Sequence, residues 1–271
     1  AGIKASPALR RRLFQVEFLS TLAGDSLITL IYHRPLDAAW EEQALLLADR
    51  LQVSIVGSSR KRKTVIGRDH VTETLEVAGT RYRYRQHEQA FTQPNAVVNT
   101  AMLEWASACA ATLDGDLLEL FCGNGNFTLP LSRQFGTVIA TELSKVSTRA
   151  AQHNLEDNAI DNAHIIRLAA KEVAQALAGE REFRRLQALP QALGAYRLET
   201  VFVDPPRAGL DPATLDTLRR FNTIVYISCN PWTLRDNLLC LAADYRVTRF
   251  GLFDQFPYTD HMECGVLMTR R

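Results

Sequence analysis

From Gln93 onward, short apolar runs alternate with stretches of helical period, and few folds accept that pattern. The runs are "DLLELF" (116–121), "GTVIATEL" (136–143), "AHIIRL" (163–168), "ETVFVDPP" (199–206) and "NTIVYISCN" (222–230). Helices are expected near 95–113, 147–158, 170–178, 212–220 and 232–243. Alternating strands and helices predict an α/β, Rossmann-like domain with a doubly wound, mostly parallel sheet. "YRVTRFGLFDQF" and "MECGVLMTRR" close the chain as two adjacent strands suited to an antiparallel edge. Residues 180–197 read as an insertion before the fourth strand.

The first part of the chain has a different period. "LFQVEFLSTL", "SLITLIYH", "LQVSIVG", "TVIG" and "RYRYRQ" mostly alternate apolar and polar residues, the mark of half-buried strands. One helix interrupts them, with Asp37 as its cap and Leu51 near its end. Ala23-Gly24-Asp25 joins the first two strands as a hairpin. This predicts a small α+β domain with a largely antiparallel sheet over 1–92, and a second domain over 93–271. The chain starts at Ala1 with a strand-like segment following almost at once, and a portion of a longer protein is expected.

Five cysteines without a CxxC pair argue against a disulfide framework or a locally spaced zinc site, and favour a reducing, cytoplasmic setting. No apolar run approaches the roughly 20 residues that span a bilayer. A formal net charge of +1 gives no global signature of nucleic-acid binding. Any such contact must come from patches such as "RRR" (10–12) and "RKRK" (60–63), which otherwise are solvated charge.

Ligands of open α/β sheets bind at the carboxyl ends of the strands, where this sequence concentrates its unusual residues. In "ELFCGNGNFTL" (119–129), Gly123 and Gly125 permit a tight turn and close backbone approach. A GxG alone is compatible with a plain glycine turn. Glu142 ends the next strand, nineteen positions after Gly123, where a carboxylate accepts both hydroxyls of a ribose. With no pyrophosphate fingerprint, S-adenosylmethionine fits better than NAD. Pro205 and Pro206 end the fourth strand and hold Asp204 at the sheet edge. Cys229 stands where the fifth strand gives way to a loop, between Ser228 and Asn230.

"FTQPN" (91–95), "ELFCGNGNFTL", "ATEL", "FVDPPRAGL", "YISCNP" and "DQFPYTDHMECGVL" (254–267), in this order, resemble the motifs of the RNA 5-methyluridine methyltransferases. The resemblance covers essentially the whole chain. "FRRLQ" and "HMECGVL" are similar to the bacterial branch that makes ribothymidine in the T loop of tRNA, rather than to the ribosomal-RNA branches. It implies S-adenosylmethionine contacts at Gln93, Phe121, Asn126, Glu142 and Asp204; Phe121 departs from a frequent tyrosine. It also implies Cys229 as nucleophile and Glu263 as the base that removes a proton, with tRNA as partner. No metal or iron–sulfur cluster is expected.

The implied chemistry needs a thiolate at carbon 6 of uracil, which makes carbon 5 nucleophilic, and a base to release the product. A polar or electropositive setting is therefore expected at Cys229, and partial burial at Glu263. Arg207 is a candidate partner for the uracil, and Phe91 and Tyr258 are candidates to stack on a flipped base. RNA 5-methylcytosine methyltransferases place a cysteine where this chain has Pro205-Pro206-Arg207. Amino-methyltransferases carry an aromatic residue at Arg207. A non-catalytic RNA-binding or RNA-folding protein would not need Cys229 and Glu263.

Overall fold

The computed structural model describes residues 2–60, 62–88 and 90–271. These group into two units, 2–74 with 84–90, and 75–83 with 91–271.

In the first unit, strands β1 (Leu13–Ser20), β2 (Ser26–Tyr32), β3 (Ser54–Ser59) and β4 (Arg62–Ile66) lie side by side in that order. The expected hairpin joins β1 to β2, with Gly24 at φ +86° in the turn. The Asp37 carboxylate accepts from the Trp40 N–H and starts the helix Ala38–Leu51. This helix lays Trp40, Ala44 and Leu47 over Leu30, Tyr32 and Ile55. The sheet is largely antiparallel, as expected, except that β2 and β3 run parallel, because the helix between them is a crossover.

Strands β5 (His70–Val77) and β6 (Thr80–His87) form a two-stranded ribbon through Ala78 and Gly79, both at positive φ. Its tip, 75–83, groups with the second unit, whereas a single cut at 92/93 was expected. The reason is local: the Asn158 side chain accepts from the Arg83 N–H at 2.8 Å and donates to its carbonyl at 2.7 Å.

The second unit carries a seven-stranded sheet. Strands β7 (Asp116–Leu120), β8 (Val138–Thr141), β9 (Ala163–Ile166), β10 (Leu198–Val203), β11 (Thr223–Ser228), β12 (Tyr245–Phe253) and β13 (Glu263–Arg270) adopt the order β12-β13-β11-β10-β7-β8-β9. The first five in sequence are mutually parallel, and β13 runs antiparallel between β11 and β12. Helices occupy 96–110, 145–157, 170–177, 212–218 and 231–241, close to the expected spans. In the insertion, Phe183, Leu189 and Tyr196 are buried in the same core as β10 and β11. The strand order reverses between β7 and β10, which places a ligand crevice over their carboxyl ends.

Candidate active site

Register fixes which residues share that edge. Val203 of β10 is level with Leu120 of β7, and Leu120 with Thr141 of β8. Asp204, Phe121 and Glu142 are therefore the first residues past three adjacent strands. On the other side, Ser228 of β11 pairs with Cys264 of β13. The pairing ends there, and because the strands are antiparallel the next residues along are Cys229 past the end of β11 and Glu263 at the start of β13. The Glu263 charge acts on the Cys229 thiol although thirty-four positions separate the two.

The glycine loop is held open by its own hydrogen bonds. Gly123 has φ +57°, and a Cβ there would meet nothing within 4 Å, so the loop presents bare backbone. Phe121 also adopts a left-handed conformation, at φ +63°, which costs of order 1 kcal/mol for a residue with a side chain. The Glu142 carboxylate accepts from the Gly123 N–H at 3.2 Å and the Ser144 N–H at 2.7 Å. Asn126 exchanges two 2.9 Å hydrogen bonds with the Asn99 amide on the helix 96–110. Gln93 accepts from the buried Gln255 amide at 2.8 Å, joining "FTQPN" to "DQFPY".

The turn after β11 is braced similarly. The Ser228 hydroxyl accepts from the Asn230 N–H and donates to its carbonyl. Asn230 then caps the helix 231–241 through the Trp232 N–H, and its amide donates to the Arg207 carbonyl at 3.2 Å. Arg207 itself lies 3.3 Å from His261 Nε2. The loop holding Asp204 is clamped by Asn237, whose Oδ1 accepts from the Tyr226 hydroxyl at 2.8 Å and the Leu210 N–H at 3.0 Å.

The electrostatics of this edge are dominated by carboxyl groups. Burial pushes Glu263 up to about 7, and its Oε2 is buried with no hydrogen-bond partner among the described residues. Burial, and then the charge of Glu263, raise Asp204 well above the usual carboxylate range. Glu119, in the middle of β7, is pushed by burial to about 8; the Thr128 hydroxyl, donating at 2.7 Å, opposes this and Asp204 adds to it. Of the polar or electropositive setting expected at Cys229, the structure has the polar one. Burial, then Glu263 and Asp204, raise its thiol, and only its own backbone N–H and Arg207 pull the other way. The site is short of positive charge, a composition suited to a cationic ligand.

The aromatic candidates are surface residues: Phe91 is 72% exposed and Tyr258 fully so. Trp232, three positions after Cys229, is equally exposed and escaped the sequence reading. So did Asn99, Asn237 and Gln255, whose only signal would have been polar side chains within apolar surroundings. Cys122 and Cys264 are buried. No helix among the described residues is long and apolar enough to cross a membrane.

The chain as a whole is similar to known proteins. The family model described as tRNA (Uracil-5-)-methyltransferase matches residues 1–271. The chain belongs to this family. A tRNA/tmRNA (uracil-C(5))-methyltransferase of Pseudomonas entomophila is 56% identical over 271 residues, which are all of this chain and 74% of that protein. The protein of the same description from Pseudomonas aeruginosa (strain LESB58) is 58% identical over 267 residues, covering 98% of this chain and 73% of the relative. Among solved structures, the Pyrococcus abyssi tRNA (uracil-54, C5)-methyltransferase in complex with S-adenosyl-L-homocysteine superimposes with a TM-score of 0.71 at 22% identity. It covers 94% of this chain, which spans 59% of the length of that one. At that identity the likeness shows a common fold, the α/β methyltransferase fold with its mostly parallel sheet. Membership of the family makes the chain a methyltransferase.

Proposed function

We propose that this chain methylates carbon 5 of a uridine in the T loop of tRNA through a covalent Cys229 adduct, with Glu263 as the base. The observation that carries the reading is the β11–β13 register, which ends with Ser228 opposite Cys264 and so puts Cys229 and Glu263 next along at the same sheet edge, where the Glu263 charge acts on the Cys229 thiol. A buried carboxylate oxygen without a partner is costly, and it is retained where chemistry uses it.

Bound S-adenosylmethionine would supply an electrophilic methyl group on a positively charged sulfur. The residues suited to hold it are Gln93, Phe121, Asn126, Glu142 and Asp204. The bare glycine backbone leaves room for a nucleoside, Glu142 suits ribose hydroxyls, and the excess of carboxyl groups suits a cation. A cation near Cys229 and Asp204 also shifts both groups toward their charged forms.

The Cys229 thiolate adds to carbon 6 of the uracil, and the ring electrons displaced make carbon 5 a carbon nucleophile. Once carbon 5 has gained its methyl group, it still carries its original hydrogen. Glu263 takes that hydrogen as a proton, the electron pair restores the 5,6 double bond, and the carbon–sulfur bond breaks to regenerate the thiolate. A base near 7 is poised for this step. Arg207 extends from the loop beside Cys229 and suits a uracil carbonyl. Phe91, Tyr258 and Trp232 offer exposed aromatic faces for a base taken out of its stack.

The test is tritium release from tRNA labelled at carbon 5 of uridine. Wild type releases tritium when the methyl donor is present, and Cys229→Ala releases none. Glu263→Gln forms a covalent RNA–protein species that outlasts denaturation but releases little tritium. Equal release from wild type and Cys229→Ala overturns the reading.

A further inference from the structure

We propose that Asp69, His70 and His87, in the first unit, form a binding site for a single divalent transition-metal ion of the zinc class. His70 opens β5 and His87 closes β6, so the two-residue turn of the ribbon brings together residues far apart in the sequence. Both imidazoles turn the same nitrogen toward the same atom: His70 Nδ1 lies 3.3 Å and His87 Nδ1 3.5 Å from Asp69 Oδ1. One ligand atom from each of the three residues lies within 4.8 Å of the other two. Four ligands at about 2.0–2.1 Å around a tetrahedral zinc ion are separated by about 3.3–3.4 Å along the edges of the tetrahedron. The two Asp69 distances, 3.3 and 3.5 Å, are close to such edges.

The surroundings complete the arrangement. Lys63 Nζ holds the other Asp69 oxygen at 2.9 Å, which leaves Oδ1 to the histidines. The same ammonium pairs with Glu88 at 2.9 Å. Two carboxylates against one ammonium leave the cluster net negative, which favours a cation. An oriented carboxylate with a second hydrogen-bond partner is the usual support of a metal ligand. The side chains of His70, His87 and Asp69 keep 22%, 20% and 37% of their exposure, so a fourth position is open to water. Two nitrogens and one carboxylate oxygen select zinc, cobalt or nickel over magnesium or calcium. Bound there, the ion would clamp the open end of the ribbon.

The experiment titrates the chelator-treated full chain with Co2+ and follows its visible ligand-field absorption. The expected result is an intense four-coordinate spectrum that saturates at one equivalent, lacks a sulfur charge-transfer band and is displaced by Zn2+. His70→Ala and His87→Ala should each weaken binding by more than the about 10- to 100-fold that loss of an outer partner costs. Wild type labelled with 15N-histidine needs no substitution: Zn2+ should shift the Nδ1 resonances of His70 and His87. Unmoved Nδ1 resonances mean that Asp69 only accepts hydrogen bonds from the two rings. That outcome, or a cobalt spectrum that survives in the double histidine variant, overturns the proposal.

Discussion

In the proposed reaction Cys229 starts from an unfavourable resting state, because burial and two neighbouring carboxyl groups hold its proton on. Glu263 has the complementary property: a folded value of about 7 against an ordinary 4.5 keeps it half protonated near neutrality. Only its carboxylate form removes a proton, so that step gains rate as pH rises through about 7 and is lost below. The thiolate requirement acts in the same direction. Single-turnover tritium release should therefore climb steeply from acid to mildly alkaline pH. In Glu263→Gln the residual tritium release should keep the rise due to Cys229 and lose the step near 7. A wild-type profile flat through neutrality would remove Glu263 from the role of base. Cys229 was legible as a strand-end cysteine between polar residues. Glu263 was legible only through the family resemblance, since nothing local reveals which strand will lie against β11.

At the scale of elements, β7 carries a carboxyl group through the middle of the sheet. Glu119 is 1% exposed and raised by burial to about 8 from an ordinary 4.5. The folded state binds this proton more tightly than the unfolded state, so its stabilising effect is complete below about pH 4.5 and is lost as pH rises toward 8. Glu119→Gln keeps an acceptor for Thr128 and has no proton to lose. Urea unfolding should show the wild type losing several kcal/mol relative to this variant between pH 5 and 8.5. Asn237 makes a second test. Asn237→Ala leaves the buried Tyr226 hydroxyl and Leu210 N–H without their acceptor, at a cost of about 1–3 kcal/mol each at most. It should lower both the urea midpoint and the affinity for the methyl donor, because the loop it clamps begins at Asp204. Elements themselves were readable wherever a cap or a proline pair marked them, as at Asp37, Asn95 and Pro205-Pro206. Pairing was less so: strand periodicity is the same in parallel and antiparallel sheets, and for β2–β3 only the helix between them signals a crossover.

For the whole molecule, a formal charge of +1 over 271 residues means that attraction to a polyanion must be local. The two basic runs of the first unit are unequal candidates. Arg10, Arg11 and Arg12 are all exposed. In "RKRK", Lys63 is held by Asp69 and Glu88, Lys61 lies outside the described residues, and Arg60 and Arg62 are exposed. A lysine already neutralised releases no counterion when RNA binds, so a count of basic residues overstates the attraction. Each arginine that meets a phosphate adds about one to the slope of log affinity against log salt. Replacing Arg60 and Arg62 with serine should weaken tRNA binding, and should flatten that slope by about one for each arginine engaged. Lys63→Ser should leave the slope unchanged. Filter-binding titrations across a salt series separate the cases: equal slopes for all three proteins would remove this patch from the RNA interface, and a loss confined to Lys63→Ser would mean that its carboxylate partners yield it to RNA.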